Sequence, residues 1–291
     1  MELHPFLETD TRPNPGWWYV VPAVGECPSM RVGHTATYVP GTKPGESGKI
    51  FVIGGANPSG PFCETFVLDL GTRAWDTVDS PGLRPRYEHA AFVPASKSGK
   101  IYVFGGANQA GNVNDIQVLD TAGLTWSTLS PRGTPPSPRT HHTTCVVGDR
   151  LVVYSGGQAG ADPVGDRHVH VFDAAQEAWT GLAPRGDSPK PRHGHAMAAV
   201  GSKVFLHGGM AGTTFYDDLH VLDVERRAWT PAKRRRGAPS ARAAHAMLAF
   251  GHRLFVFGGM NRDGALDDLH VLDTSKSLLT NHLKILTILV S

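Results

Sequence analysis

The sequence predicts an all-β protein, a β-propeller built from four-stranded antiparallel blades. One set of landmark residues recurs five times, at intervals of 50 to 55 residues. Apolar runs of four to six residues separate the landmarks, and turn formers are abundant, with 34 glycines and 22 prolines in 291 residues. Four short strands in each unit of about 50 residues are typical of a propeller blade.

Each repeat begins with the pattern Arg-x-x-His, which we place at the start of the innermost strand. A histidine ring there can hold a metal or an anion. A repeated histidine more often satisfies backbone groups inside its own blade, and we favour that structural interpretation. The five units run from Arg31 to His34, Arg86 to His89, Arg139 to His142, Arg192 to His195 and Arg242 to His245.

A glycine pair ends the second apolar run of each repeat. A side chain there would crowd the neighbouring chain, and glycine accepts a positive φ at little cost, so we predict a structural role. The pairs are Gly54 and Gly55, Gly105 and Gly106, Gly156 and Gly157, Gly208 and Gly209, and Gly258 and Gly259.

An aspartate closes the third run, and a tryptophan follows six residues later in the first four repeats. We expect each indole ring to be buried between adjacent blades, because a repeat mainly contacts its neighbours. The aspartates are Asp69, Asp120, Asp173, Asp223 and Asp273, and the tryptophans are Trp75, Trp126, Trp179 and Trp229.

This succession of landmarks resembles the kelch-repeat family from about Trp17 to Asp273. Two local segments, Arg86-Tyr87-Glu88-His89-Ala90 and Phe215-Tyr216-Asp217-Asp218-Leu219-His220, resemble the kelch proteins that act as Rab effectors. The resemblance implies a protein-binding scaffold for a GTP-bound Rab GTPase in transport from endosomes to the trans-Golgi network. It also implies a cytoplasmic protein that associates peripherally with endosomal and trans-Golgi membranes through its partners.

The predicted domain limits leave both ends unusual. We expect a tail at 1–16, a propeller at 17–274 and a divergent tail at 275–291, in which Leu279 stands where a fifth tryptophan is expected. Trp18 precedes Arg31 by the interval seen in later repeats, so 17–21 is interpreted as a closing outer strand. The predicted repeats span 31–79, 86–130, 139–183, 192–233 and 242–274.

The two ends allow two arrangements. The 17–21 strand completes the fifth blade of a small closed ring, or five blades form an incomplete ring with exposed edges. We favour the incomplete ring, because closing five blades designed for a wider ring strains every interface. The apolar tail can then pair with an edge, as a strand or a short helix.

Strand parity puts the loop between second and third strands on the same face as the blade-to-blade connection. The loops on this face are longer than those on the opposite face, so we expect a partner protein to bind here. Phe215 and Tyr216 are the expected anchors of that contact. Alternatively, these aromatic residues only cover the edge of the blade. A basic run at 233–236 is interpreted as a solvated loop, with a nuclear signal or an acidic-partner patch as alternatives. The candidate interaction residues are Asn57, Phe62, Asn108, Gln109, Asn112, Asp162, Arg167, Phe215, Tyr216, Arg234, Arg235, Asn261 and Arg262.

Composition narrows the function. A formal net charge of +2 does not indicate nucleic-acid binding, and three cysteines favour a reducing compartment. We expect a monomer without a cofactor or enzymatic activity. An adaptor for another protein, such as a ubiquitin-ligase substrate, is the alternative, although such kelch proteins carry an N-terminal dimerisation and cullin-binding domain. A kelch oxidase or sugar-acting enzyme is least expected, since no copper-binding tyrosine and cysteine arrangement is recognisable.

Overall fold

The structure, a computed structural model, describes residues 5–8, 12–14, 17, 19–79, 82–140, 143–159, 162–234, 236–275 and 285–288. These residues form five antiparallel sheets of four strands each, arranged as propeller blades, with one added strand on the fourth sheet. The predicted all-β fold is confirmed.

The blades follow one another in chain order. Blade one contains β1 (Thr35–Val39), β2 (Lys49–Ile53), β3 (Ala56–Asn57), β4 (Gly60–Pro61), β5 (Thr65–Asp69) and β6 (Ala74–Thr77). Blade two contains β7 (Ala90–Phe92), a 3-10 turn η1 (Ala95–Lys97), β8 (Lys100–Phe104), β9 (Ala107–Asn108), β10 (Gly111–Asn112), β11 (Ile116–Asp120) and β12 (Thr125–Leu129). Blade three contains β13 (Thr143–Val147), β14 (Arg150–Tyr154), β15 (Gly157–Ala159), β16 (Asp162–Pro163), β17 (Val169–Asp173) and β18 (Ala178–Leu182). Blade four contains β19 (Arg185–Gly186), β20 (Ala196–Val200), β21 (Lys203–His207), β22 (Met210–Ala211), β23 (Thr214–Phe215), β24 (Leu219–Asp223) and β25 (Ala228–Ala232). Blade five contains β26 (Ala246–Phe250), β27 (Arg253–Phe257), β28 (Met260–Asn261), β29 (Gly264–Ala265), β30 (Leu269–Asp273) and β31 (Ile285–Ile288).

The second and third strands of the middle blades are buried because a blade covers each of their faces. In β8 the residues from Ile101 to Phe104 are at most 1% exposed. Apolar clusters join one blade to the next, and the first strands of successive blades contact each other around the inside of the arc. Burial on both faces explains why these runs are continuously apolar and not alternating.

The landmark aspartates shape the turn that leads into the outer strand. The Asp120 carboxylate Oδ1 accepts hydrogen bonds from the backbone N–H groups of Ala122 and Gly123, at 3.0 and 2.9 Å. Leu124 then takes a positive φ of 50° before β12 begins. A short polar side chain that accepts from its own turn is a standard way to reverse a chain, and this explains the repeated aspartate.

The N-terminal segment lies against blade one. Val24 pairs in parallel with Ala74 in β6, as Arg132 does with Ala178 in β18 of blade three, and Val20 pairs with Phe6. None of the described residues of the expected closing strand 17–21 lies in the fifth sheet, and Trp18 is outside the described residues. The N-terminal segment does not reach blade five because it leads directly into blade one and runs along the outer strand of that blade.

The fourth strand of blade five comes instead from the apolar tail. β31 pairs antiparallel with β30, so that Leu272 faces Ile285 in the register that Leu222 has with Trp229 in blade four. We expected the apolar tail to pair with a sheet edge as a strand or a short helix, and β31 pairs with β30 as a strand. The rest of 275–291, apart from Ser275, lies outside the described residues.

Blade five presents an open face where another blade would pack. Leu248 and Phe257 are 55% and 51% exposed, whereas Ala198 and His207, at the same positions of blade four, are 6% and 3% exposed. In blade four, Gly209 N–H donates to Arg242 C=O of the next blade at 2.8 Å. Among the described residues Gly259 has no such blade-to-blade hydrogen bond, and no further described blade covers this face of blade five.

Candidate interaction surface and the network beneath it

A buried arginine supports the long loop of every blade. In blade four, Arg192 is fully buried and donates from Nη1 to Gly208 C=O at 2.9 Å. Its Nη2 donates to Asp218 Oδ2 at 2.9 Å, and Nη1 donates to Oδ1 of the same carboxylate. This guanidinium therefore joins the chain before the first strand, the end of the second strand and the start of the third.

The same arrangement recurs with small changes. The remaining arginine–acid pairs are Arg31 with Glu64, Arg86 with Asp115, Arg139 with Asp166 and Arg242 with Asp268. Each guanidinium also donates to the carbonyl at the end of the second strand. A buried guanidinium is costly unless an opposite charge pairs with it, so each acid has a structural role. The landmark pattern in the sequence did not identify these acids.

A histidine completes the network in blades three to five. His220 Nε2 lies 3.0 Å from Asp218 Oδ2, and His270 Nε2 lies 2.7 Å from Asp268 Oδ2. Burial raises the pKa of Asp218, but hydrogen bonds from His220 and Arg192 outweigh that effect and leave the pKa well below its ordinary value. The hydrogen bond from Arg242 is the main cause of the lowered pKa of Asp268. Both carboxylates are therefore ionised at neutral pH.

In blades two and five, the histidine of Arg-x-x-His contacts the preceding blade. His89 Nε2 lies 2.9 Å from Thr35 Oγ1 of blade one, and His245 Nε2 lies 3.1 Å from His207 Nδ1 of blade four. Burial lowers the pKa of His207 to about 3 and that of His245 to about 4, so both rings are neutral. These contacts hold blades together, whereas the sequence predicted contacts within one blade. His142 lies outside the described residues.

The glycine pairs lie at the ends of the second strands with positive φ in four blades, for example 64° at Gly208 and 91° at Gly209. A Cβ on Gly208 would lie 2.6 Å from Arg242 C=O of the next blade. Blade three differs by one residue, because Ser155, with φ of 52°, takes the first glycine position and Gly156 the second. Arg139 accordingly donates to Ser155 C=O, and Gly157 begins β15.

The tryptophans of blades three and four pack against the blade before them. The Trp179 ring lies 4.9 Å from the Phe104 ring, and the Trp229 ring lies 5.3 Å from the Tyr154 ring, measured between centroids. Both indoles are nearly fully buried, while Trp75 and Trp126 are half-buried. Phe104 and Tyr154 end the second strands of their blades, so this position and the following tryptophan form one interblade contact.

The long loops fold into small two-stranded hairpins that project from one face. Asn57, Asn108 and Asn261 each accept a hydrogen bond from the backbone N–H two residues later, at 2.8 Å in all three. These candidate residues therefore shape the hairpin turns, as asparagine often does.

Four other candidate residues contact the protein itself. Asn112 Nδ2 donates to Gln158 C=O of the next blade at 3.0 Å, and Arg262 donates to Thr213 C=O of the preceding blade at 3.0 Å. The guanidinium of Arg31 lies over the Phe62 ring, and that of Arg192 over the Tyr216 ring, each 4.2 Å from the ring centroid. Tyr216, one of the two expected anchors, thus covers a buried cation.

The remaining candidates are more accessible. Gln109, Asp162 and Arg167 are exposed, and Phe215 is half-buried at the end of its hairpin. Arg234 is exposed and lies 3.1 Å from Asp217. Arg235 lies outside the described residues. The hairpin face therefore combines a rigid base with exposed charged and amide side chains.

The described residues include no group of three or more His, Cys, Asp or Glu placed to hold a metal ion. Within the same part of the chain, no helix has the length and apolar character needed to cross a membrane.

Comparison with known proteins agrees with the repeat pattern. A model of the KLHDC2/KLHL20/DRC7 Kelch-repeats domain matches residues 42–259, and a Kelch motif model matches residues 241–278. The Rab9 effector protein with kelch motifs from Mus musculus is 48% identical over 220 residues, covering 75% of this chain and 58% of the mouse protein. The Homo sapiens protein of that name is 46% identical over 220 residues, covering 75% of this chain and 59% of the human protein.

More distant matches extend the comparison. Kelch domain-containing protein 3 from Bos taurus is 29% identical over 196 residues, covering 62% of this chain and 48% of that protein. The solved structure described as "Structure of YjhT" has 18% identity and a TM-score of 0.70, with 88% of this chain and 84% of that chain covered. That likeness concerns the fold alone. The chain thus spans less than two thirds of its similar curated relatives, and it belongs to the kelch-repeat family.

Proposed function

We propose that this chain is a non-enzymatic scaffold that binds a Rab GTPase in its GTP-bound form. The observation that supports the proposal is the identity of 46% to 48% with Rab9 effector proteins with kelch motifs, over 75% of this chain. We further propose that the chain is a cytoplasmic monomer, that it reaches endosomal and trans-Golgi membranes through its partner, and that it acts in transport between them.

The hairpin face is the proposed contact surface. Exposed charged side chains guide association and set specificity, whereas residues that already satisfy internal groups contribute mainly to the scaffold. The proposed contact residues are therefore exposed or half-buried side chains of this face: Gln109, Asp162, Arg167, Arg234 and Phe215. Tyr216 and the three turn asparagines support the surface.

The proposal is tested by capture of purified Rab9, loaded with a GTP analogue or with GDP, on immobilised chain. Circular dichroism and a cooperative thermal transition establish that the immobilised chain is folded. We expect selective capture of the GTP-analogue form. Equal capture of both forms, or no capture by folded chain, contradicts the effector function and favours an adaptor for another protein.

A charge reversal with a matched control locates the surface. Arg167 lies in the loop between β16 and β17, on the hairpin face, while Arg226 is 80% exposed in the turn between β24 and β25, on the opposite face. We expect Arg167→Glu to weaken capture by about tenfold, in the range typical of a close charge contact, and Arg226→Glu to change it by less than about twofold. A larger loss with Arg226→Glu places the contact on the opposite face.

A further inference from the structure

The buried arginines differ in the residue that stands two positions before them. In blades one, three and five this residue is a serine, and its Oγ accepts a hydrogen bond from the arginine Nη2 at 3.0 Å in all three. In blades two and four the same position holds a cation, Arg84 or Lys190. A hydroxyl is therefore not required for the buried arginine to form its network. The serines are Ser29, Ser137 and Ser240.

Ser137 differs from the other two serines in the residue that follows it. Pro138 comes directly after Ser137, whereas Met30 and Ala241 follow the equivalent serines. Ser137 is exposed, and 134–137 has no regular secondary structure. A residue before proline favours extended backbone. An accessible serine in an extended segment and followed by proline is the substrate pattern of proline-directed protein kinases.

A phosphate on Ser137 would lie beside a carboxylate. Nη2 of Arg139 donates to Ser137 Oγ and to Asp166 Oδ2, each at 3.0 Å, so the two oxygens share one nitrogen. Blade two shows the reach of a longer side chain at the serine position, because Arg84 Nη1 lies 3.5 Å from Oδ2 of the paired acid Asp115. The charge of a group at this position therefore acts directly on the acid.

Asp166 holds the loop between β16 and β17 that carries Arg167. Its Oδ1 accepts a hydrogen bond from the backbone N–H of His168 at 2.9 Å, and its Oδ2 lies 3.2 Å from His170 Nε2. Burial raises the pKa of Asp166, but hydrogen bonds from His170 and Arg139 outweigh that effect and leave the carboxylate ionised at neutral pH. A second anion at Ser137 would compete with this carboxylate for the one guanidinium.

We propose that Ser137 is a phosphorylation site for a proline-directed protein kinase, and that the phosphate loosens the loop between β16 and β17. Ser137 Oγ attacks the γ-phosphorus of ATP, the bond from that phosphorus to the ADP oxygen breaks, and the hydroxyl proton passes to a base of the kinase. The phosphate carries about two negative charges at pH 7 and attracts the Arg139 guanidinium. Asp166 then loses part of its ion pair and is repelled by the new anion, so its hold on the loop weakens.

Incubation of the whole chain with magnesium ATP and a purified mitogen-activated protein kinase tests the modification itself. We expect stoichiometric phosphate on Ser137, located by tandem mass spectrometry, and none at this position in Ser137→Ala. Thr134 is the matched control, because it is exposed and Pro135 follows it in the same connection. Thr134→Ala should leave phosphorylation of Ser137 unchanged. Folded chain without phosphate on Ser137, or with phosphate on Thr134 alone, overturns the proposal.

Thermal melting tests the effect of the phosphate on the loop. The phosphorylated chain should melt about 3–6 °C below the unmodified chain, because a like charge is added beside a partly buried carboxylate. Ser137→Glu should lower the melting temperature in the same direction, whereas Thr134→Glu and Ser137→Arg, which copies Arg84 of blade two, should change it by less than about 2 °C. An unchanged or higher melting temperature of the phosphorylated chain overturns the loosening of the loop.

Capture of Rab9 loaded with a GTP analogue tests the consequence for binding, which rests on the proposed function because Arg167 is a proposed contact residue. We expect the phosphorylated chain to capture about fivefold less than the unmodified chain. Ser137→Ala treated with kinase should capture as much as before treatment. Equal capture by modified and unmodified chain overturns the link to binding and leaves the proposed function standing. No capture by either refutes the proposed function, and the melting temperatures still decide whether the phosphate loosens the loop.

Discussion

Removing the buried guanidinium of blade four should destabilise the protein strongly. Arg192 has no exposed side-chain surface and stacks on the Tyr216 ring at 4.2 Å. Arg192→Ala removes this stacking and the hydrogen bonds to Gly208 C=O and to both carboxylate oxygens of Asp218. The carboxylate is then left partly buried with His220 as its remaining close partner.

Loss of one partner from a buried ion pair typically costs about 3–5 kcal/mol. Because the Asp218 side chain is 36% exposed and regains some hydration, we expect the lower end, about 3 kcal/mol in the free energy of unfolding. Arg192→Lys keeps the charge but loses the two-pronged contact, so an intermediate loss is expected. Arg226→Ala, in an exposed pair at 3.9 Å, should cost less than about 0.5 kcal/mol.

Urea unfolding followed by circular dichroism and tryptophan fluorescence measures these differences. The two probes should give one transition, so that free energies can be compared. A change of less than about 1 kcal/mol for Arg192→Ala means that the buried network does not stabilise the blade, and the assignment of the arginine landmark is then wrong.

Two further predictions concern the interblade contacts. Gly208→Ala should cost about 2 kcal/mol more than Gly258→Ala in urea unfolding. Both glycines have φ near 60°, but only at Gly208 would a Cβ meet the next blade, at 2.6 Å from Arg242 C=O. The nearest atom to a Cβ at Gly258 is Leu266 C=O, at 3.1 Å. Equal losses of stability in the two variants would mean that another part of the protein packs against blade five. The lowered pKa values of His207 and His245, about 3 and about 4, mean that the unfolded chain takes up protons first as pH falls below about 6.5. The free energy of unfolding should therefore fall by about 1–2 kcal/mol for each ring between pH 7 and pH 5. His207→Phe should reduce this pH dependence. An unchanged pH dependence in that variant contradicts the burial of a neutral ring at this position.

The repeat pattern was sufficient to predict the blades, because period and apolar runs are local properties of the chain. It did not reveal the acids that pair with the arginines. Asp218 and Asp268 each follow their arginine by 26 residues, but Glu64 follows Arg31 by 33, because the connection between β1 and β2 is longer than in the other blades. Each acid nevertheless stands ten residues after the first glycine of its pair, as Glu64 does after Gly54 and Asp268 after Gly258, so the sequence carried a signal that the landmark pattern did not use.

Blade-to-blade contacts were equally hard to predict. The pattern places His245 and His207 in different repeats, and their 3.1 Å contact depends on the angle between two sheets. Ser155 shows a second limit, because a serine with φ of 52° takes a position that the Gly-Gly pattern assigns to glycine. The described candidate residues lie in loops, but the sequence could not separate side chains that shape a hairpin, such as Asn108, from exposed ones, such as Gln109.

The arginine network gives a physical reason why the proposed contact surface can vary in sequence without loss of the fold. Each guanidinium ties together both ends of a long loop, at the glycine carbonyl that ends the second strand and at the acid that precedes the third. Substitutions at exposed loop positions such as Arg167 leave the hydrogen bonds of the guanidinium intact and should cost little stability, whereas the Tyr216 ring packs on the guanidinium itself. Binding specificity is therefore expected to reside in the tips, on a base that the repeat fixes.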